Sequence, residues 1–233
     1  MARIKQEERL EAVARAATQV FGRVGYQRTR TADVAAAAGM SAGSLFTYVQ
    51  TKDALFHLVF LYGFGHLGDP PSLPVLDTDP KETVALIEKE LRAVSAPELH
   101  AAMKTTDPPD VAEELRAVVT ERYEIVERLW PMLAVIERCA VDIPELEAFY
   151  WGGVRAAHLR QLERYIDTRT RAGYFRALPD PPTTARVITE SIAWFAWHRR
   201  EGRAANDYDD DVARQTVIEF AVAALVPEQQ ASA

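Results

Sequence analysis

The stretch from Thr29 to Lys52 constrains this chain more than any other. It opens with Thr29-Arg30-Thr31-Ala32, and Asp33 to Ala38 follows as an alanine-rich run that favours helix. Gly39 ends that run, because glycine enters the left-handed C-terminal position without a Cβ clash. Ser41 then offers its hydroxyl to cap a second helix. The spacing predicts two short helices joined by a tight turn, with Val34, Ala35, Ala38, Met40, Leu45 and Val49 inward. Outward on the second helix stand Ala42, Gly43, Ser44, Thr47 and Tyr48, which are short or hydroxyl-bearing and uncharged. A helix that faces only water usually carries Lys and Glu. One that enters a DNA major groove needs a slim profile with hydrogen-bonding tips.

Charge supports the same reading. The chain carries −7 over 233 residues, but residues 1–52 hold eight Lys/Arg against four acids. That head is +4 and the remainder is −11. A basic head on an acidic body is the footprint of a DNA-reading module joined to something else.

Several residues here carry a family resemblance: Val20-Phe21, Gly25-Tyr26, Asp33-Val34-Ala35, Ala38-Gly39-Met40-Ser41, Gly43-Ser44-Leu45-Phe46 and Lys52-Asp53-Ala54-Leu55. Together they resemble the N-terminal block of a TetR-family transcriptional regulator. The rest of the chain fits the family in length and helix pattern but carries no motif of its own. The resemblance implies an all-α homodimer with a three-helix helix-turn-helix domain and a larger C-terminal helical domain for ligand binding and dimerisation. It implies DNA contacts from Arg28, Thr29, Arg30, Thr31, Ser41, Ala42, Gly43, Ser44, Thr47, Tyr48 and Lys52. The sequence departs from the family's usual Ser or Thr at Arg30, Tyr at Phe46 and Phe at Val49. Arg30 reads either as a solvated surface residue, with the helix capped by Thr29 or Thr31, or as a cation beside a phosphate docked at the helix start. Tyr48 reads either as half-buried packing or as a phosphate ligand.

The domains are read as 1–52, the DNA-reading head; 53–228, the ligand and dimer domain; and 229–233, a frayed tail. A first helix is predicted from about Gln6 to Arg23, with Leu10, Val13, Ala14, Ala17, Val20 and Phe21 on one face and an arm, Met1 to Lys5, before it. The next helix, Asp53 to Tyr62, is apolar nearly all round and so buried on several sides. Further helices are predicted over Pro80–Ser95, Asp110–Val141 with a kink at Pro131, Pro144–Arg171, from Asp180 to about Arg200, and from Asp209 to about Val226; Ala96–Thr106 is a short helix or a link. The last two long helices carry Ile188, Ile192 and Phe195, then Val217, Phe220 and Ala224. These are either monomer core or, as the resemblance implies, a four-helix dimer interface.

Middle helices hold Met103, Trp130, Cys139, Phe149, Tyr150 and His158, which read either as plain core or as the lining of an apolar ligand cavity. Gly63-Phe64-Gly65-His66-Leu67-Gly68 matches a dinucleotide-binding spacing. Its context has no strand before it and Pro70-Pro71 after it, so it is read as a helix terminus and loop. The five histidines are scattered, no nucleophile elbow occurs, and the single cysteine has no partner. No enzyme activity, metal or cofactor is expected. The charged N-terminus and lone cysteine suit the cytoplasm. The function read from the sequence is a ligand-responsive, sequence-specific DNA-binding regulator, a repressor released from a near-palindromic operator by a small apolar or aromatic effector. The alternative is a small-molecule or protein-binding scaffold that has lost DNA reading.

Overall fold

A computed structural model describes residues 2–66, 74, 75, 77–202 and 207–228, with side chains from residue 7 onward. The frayed tail and the side chains of the N-terminal arm lie outside the described residues. Among those described, every element is helical. The α-helices are α1 Ala2–Val24, α2 Thr31–Ala37, α3 Ala42–Leu45, α4 Lys52–Gly63, α5 Pro80–Ala93, α6 Pro97–Lys104, α7 Val111–Ala140, α8 Pro144–Glu147, α9 Ala156–Arg171, α10 Pro181–Ala196 and α11 Asp210–Leu225. No helix among the described residues is long and apolar enough to cross a membrane. By packing, the chain divides into two compact units: Met1–Ala93 with Pro131–Val154, and Val94–Trp130 with Arg155–Ala233.

In the first unit, α1 buries the expected face of Leu10, Val13, Ala14, Ala17, Val20 and Phe21. It starts earlier than its pattern predicts, since nothing in Ala2 to Gln6 breaks a helix. Phe21, Phe56 and Phe60 stack edge to face, with ring centroids 5.2 and 5.1 Å apart. Leu55, Phe56, Leu58, Val59 and Phe60 of α4 are all buried, as an all-round apolar helix requires. Beyond α1, Gly25 sits at φ +84°, and an added Cβ would lie 3.1 Å from Asp142 Oδ2 and 3.2 Å from the Arg138 carbonyl. Asp142 also accepts from the Gln27 amide at 2.9 Å, tying the end of α7 to the end of α1.

α4 stops where the sequence places a terminus rather than a nucleotide loop. Gly65 takes φ +78°, and the His66 amide donates back to the Leu61 carbonyl at 2.8 Å. A helix, not a strand, precedes the glycines. At Gly63 a Cβ would fall 2.0 Å from Met132 Sδ, so the buried Met132 side chain would have to move. We expect Gly63→Ala to destabilise by about 1–3 kcal/mol through overpacking, although alanine is the better helix former. Met132→Ala should relieve that strain, so the double variant should unfold at lower cost than the sum of the singles in urea titration.

In the second unit a buried arginine organises the packing. Arg169 of α9 is 1% exposed. Its Nε and Nη2 each donate to Glu114 of α7 at 2.8 Å. Nη1 and Nη2 also donate to the carbonyls of Thr105 (2.9 Å) and Ala102 (2.8 Å) at the end of α6. The Tyr165 hydroxyl donates to the same carboxylate at 3.0 Å. Arg169 lies in the last turn of α9, where a cation suits the helix dipole. Burial instead makes it a cross-brace between three helices. Glu127 holds Arg200 and Arg214 at 2.7 and 2.5 Å, and Asp210 pairs with Arg199.

Pro144–Arg171 is helical throughout, as the pattern predicts, but not α-helical throughout: α8 and α9 are joined by a π-helical stretch, Ala148–Arg155. Gly152 and Gly153 lie in the π stretch, where a Cβ at Gly152 would meet nothing within 4 Å. Their effect is therefore to weaken α-helix propagation, not to admit a neighbour. Asp180 and Asp209 cap α10 and α11 as expected, accepting from the amides of Thr183 and of Asp211 and Val212.

Candidate nucleic-acid interface and effector cavity

α2 and α3 are short, so their geometry rests on caps and packing. Gly39 takes φ +68°, and the Ser41 hydroxyl accepts from the Ser44 amide at 3.1 Å. Val34, Ala35, Leu45 and Val49 are buried, while Ala38 and Met40 are half-buried. Regular α3 covers only Ala42–Leu45, and turns continue to Tyr48. Ser41, Ala42, Gly43, Ser44 and Thr47 are exposed, with Arg28 and Arg30 exposed nearby in sequence. The Thr47 hydroxyl donates to the Ser44 carbonyl at 2.7 Å.

Three residues of the predicted contact set point elsewhere. Thr29 is 2% exposed and donates to the Gly25 carbonyl at 2.7 Å, closing the end of α1. Tyr48 is 8% exposed, so the packing alternative describes its side chain. The Lys52 ammonium donates to the Tyr26 carbonyl at 3.2 Å and lies 4.4 Å from the centre of the Tyr26 ring. Arg30 holds the N-cap position of α2 without a side-chain cap, so neither Thr29 nor Thr31 caps that helix. Arg30 is exposed, and its side chain caps none of the first amides of α2.

The six residues proposed from sequence to line a cavity divide between the two units. Cys139 is fully buried in the first unit, its Sγ 4.0 Å from the Phe21 carbonyl, and burial pushes its thiol well above the usual range. Phe149 lies under the Arg92 guanidinium at 5.4 Å, and Tyr150 packs edge-on to Trp151. Met103 is 37% exposed and Trp130 half-buried in the second unit. Of the six, His158 is the one that lines a small cavity with Leu99, Val118, Ile125, Leu162, Ile188 and Ile192. None of these apolar neighbours carries a sequence signal beyond helical apolar spacing.

That cavity is about 20 Å³, room for roughly one water. His158 Nε2 is buried with no hydrogen-bond partner among the described residues. Burial first, then the neighbouring Arg122 and Arg155 guanidinium groups, holds His158 well below its usual range. Its imidazole is thus neutral in the fold, while the unfolded chain takes up a proton near pH ~6.5. Stability from this group is therefore complete above that value and falls as pH drops below it. We expect acid destabilisation to begin near pH 6.5 and to be shallower in His158→Gln, measured by thermal unfolding across pH 5–8.

The six predicted dimer residues divide as well. Ile188, Ile192 and Val217 are buried within the chain, two of them at the cavity. Phe220 is 63% exposed, Ala224 is exposed, and Phe195 is half-buried. Exposed Val187 and Trp194 on α10 join them, although the sequence reading passed over both. The α10 and α11 helices are apolar on two faces, and only packing distinguishes the inner face from the outer.

Comparison with known proteins places these features. Residues 14–59 match the family model described as bacterial regulatory proteins, tetR family. Similar solved structures include the ketosteroid transcriptional regulator KstR2 of Mycobacterium tuberculosis, 14% identical, with a TM-score of 0.56 over 94% of this chain and 96% of that one. The TetR family transcriptional regulator PfmR from Thermus thermophilus is 21% identical, with a TM-score of 0.49 over 91% and 97%. FadR from Bacillus subtilis, solved with stearoyl-CoA, is 15% identical, with a TM-score of 0.43 over 91% and 97%. The KstR2 match shows a shared fold along nearly the whole chain.

Proposed function

Taking as premise that residues 14–59 are a TetR-family DNA-binding segment, we propose that the chain is a homodimeric, sequence-specific DNA-binding regulator acting in the cytoplasm. The reading makes it a repressor that leaves a near-palindromic operator when a small apolar effector binds the second unit. The observation that carries it is the uncharged, exposed face of Ala42, Gly43, Ser44 and Thr47 in a segment that also exposes Arg28 and Arg30. Short side chains let the helix approach base edges, and the cations meet phosphates. Residues 1–52 form the reading head in this proposal. Arg28, Arg30, Thr31, Ser41, Ala42, Gly43, Ser44 and Thr47 touch DNA, while Thr29, Tyr48 and Lys52 support them from inside.

Two reading helices need a two-fold partner to reach successive major grooves, roughly 34 Å apart. Exposed Val187, Trp194, Phe220 and Ala224 supply the apolar surface for that partner. An effector suited to the cavity has an apolar body and one polar group to meet His158 Nε2. Because the cavity holds only about one water, the effector has to part its walls, and it acts through its preference for that opened state.

The test is binding of the purified protein to a duplex selected from a random-sequence library, beside a scrambled duplex, across salt. A preference of about a thousandfold, with a log–log salt slope near −0.9 per phosphate neutralised, is expected. Equal, weak binding to both would favour the scaffold reading. That reading is supported by the inward Tyr48, the engaged Lys52 and the apolar, 47%-exposed Phe46.

A further inference from the structure

We propose that Val75 and Asp77 are positioning residues for DNA reading: with Asp79 they form a clamp that fixes the exit of α3 against the starts of α4 and α5. The role in DNA reading rests on the function proposed above; the clamp itself rests on geometry alone.

α3 has a single regular turn, Ala42–Leu45, too short to hold its own conformation. Thr47, on the exposed face, rides on the turns that follow. Backbone bonds from a residue 26 positions beyond Val49 hold that exit in place. The Val75 amide donates to the Tyr48 carbonyl at 2.7 Å, and the Gln50 amide donates to the Val75 carbonyl at 3.1 Å. Val49 and Val75 thus form an isolated parallel bridge, the only strand-like pairing among the described residues. Val75 is 6% exposed and Val49 is fully buried, so the bridge is anchored by side chains on both sides.

Two further bonds extend the clamp. The Thr51 hydroxyl donates to Asp77 at 2.6 Å, which turns its lone pair toward the Ala54 amide, 3.0 Å away, and so caps α4. Asp79 accepts from the Lys81 amide at 2.8 Å and, through its carbonyl, from the Glu82 amide at 2.8 Å, which starts α5. Val75, Asp77 and Asp79 thus hold the end of the reading helix and the beginnings of the next two helices. Thr47 is presented at one angle because its exit is tied at Tyr48, Gln50 and Thr51. Arg28 and Arg30 precede α2 and make no bond to the clamp. Loosening it should therefore disturb base reading and leave phosphate attraction alone.

The experiment uses the full chain and the duplex that the wild type selects from a random library. Val75→Pro deletes the amide that bonds Tyr48. The ratio of affinity for the selected duplex to that for a scrambled one should fall at least about tenfold. Scrambled-duplex affinity and its salt slope should stay unchanged. Exchange of the Gln50 amide should accelerate, and Val75→Ala, which keeps the amide, should hold the ratio within about threefold. If Val75→Pro does not fold, Asp77→Ala carries the test: a several-fold loss of ratio with the unfolding temperature nearly unchanged is expected, and Asp77→Asn should restore part of it. Rapid Gln50 exchange in the wild type would overturn the clamp. So would an undiminished ratio in a variant whose Gln50 amide has become labile. A wild type that selects no sequence would instead overturn the proposed function, while Gln50 exchange would still decide whether the clamp exists.

Discussion

Arg169→Ala should lower folding stability by about 3–5 kcal/mol, the expected result of removing one partner from a buried, hydrogen-bonded ion pair. For a chain of this size that corresponds to a fall of roughly 6–20 °C in unfolding temperature. The loss is large because the guanidinium serves four acceptor atoms at once: both oxygens of Glu114 and the carbonyls of Ala102 and Thr105. Removing it leaves a carboxylate whose side chain is only 14% exposed and two helix-end carbonyls without their donor. Arg169→Lys should recover little, since an ammonium cannot make the bidentate fork. Arg169→Met combined with Glu114→Met should unfold later than Arg169→Met alone, because the stranded charge is gone. Thermal and urea unfolding of the four variants would settle it. Equal stability of Arg169→Ala and wild type would mean that Arg169 is hydrated rather than enclosed.

The second large effect is expected at α3, the helix proposed to face DNA. Ala42→Glu should reduce affinity for the selected duplex by at least about 100-fold, roughly 2.7 kcal/mol. Ala42 is exposed at the first position of α3, next to the Ser41 cap. A glutamate in a helix's first turn is favourable for the helix itself, so the fold should tolerate it. On the proposed interface, however, it places a carboxylate among phosphates and base edges that mostly offer acceptors. Ala42→Gln, of nearly the same shape, should lose much less. Fluorescence anisotropy with a labelled duplex separates the three proteins. If the glutamate variant bound as tightly as wild type, α3 would not lie in the groove.

The helix-turn-helix was legible because its signals are local. Gly39 needs a positive φ, Ser41 lies three residues before the amide it caps, and Val34, Ala35, Leu45 and Val49 follow helical spacing. The caps of α10 and α11 and the end of α4 were legible for the same reason. The π-helical stretch between α8 and α9 was missed although Gly152-Gly153 marks the place, because glycine inside a helical pattern lowers propensity without fixing an outcome. The candidate cavity was scarcely legible. Of six residues chosen for aromatic or polarisable character, only His158 reached it, and its walls come from ordinary Leu, Ile and Val on four helices.

By itself the sequence determined the helical class, the helix-turn-helix, and most helix starts and stops. Each is decided by backbone conformation, dipole and capping within a few residues. The tertiary structure alone decided which apolar face of α10 points inward, that Arg169 braces three helices rather than ending one, that Tyr48 and Lys52 turn inward, and that Val75 returns to grip the end of α3. Those outcomes depend on which groups meet across 26 to 67 residues of chain, and side-chain identity does not encode such meetings until the core has closed around them.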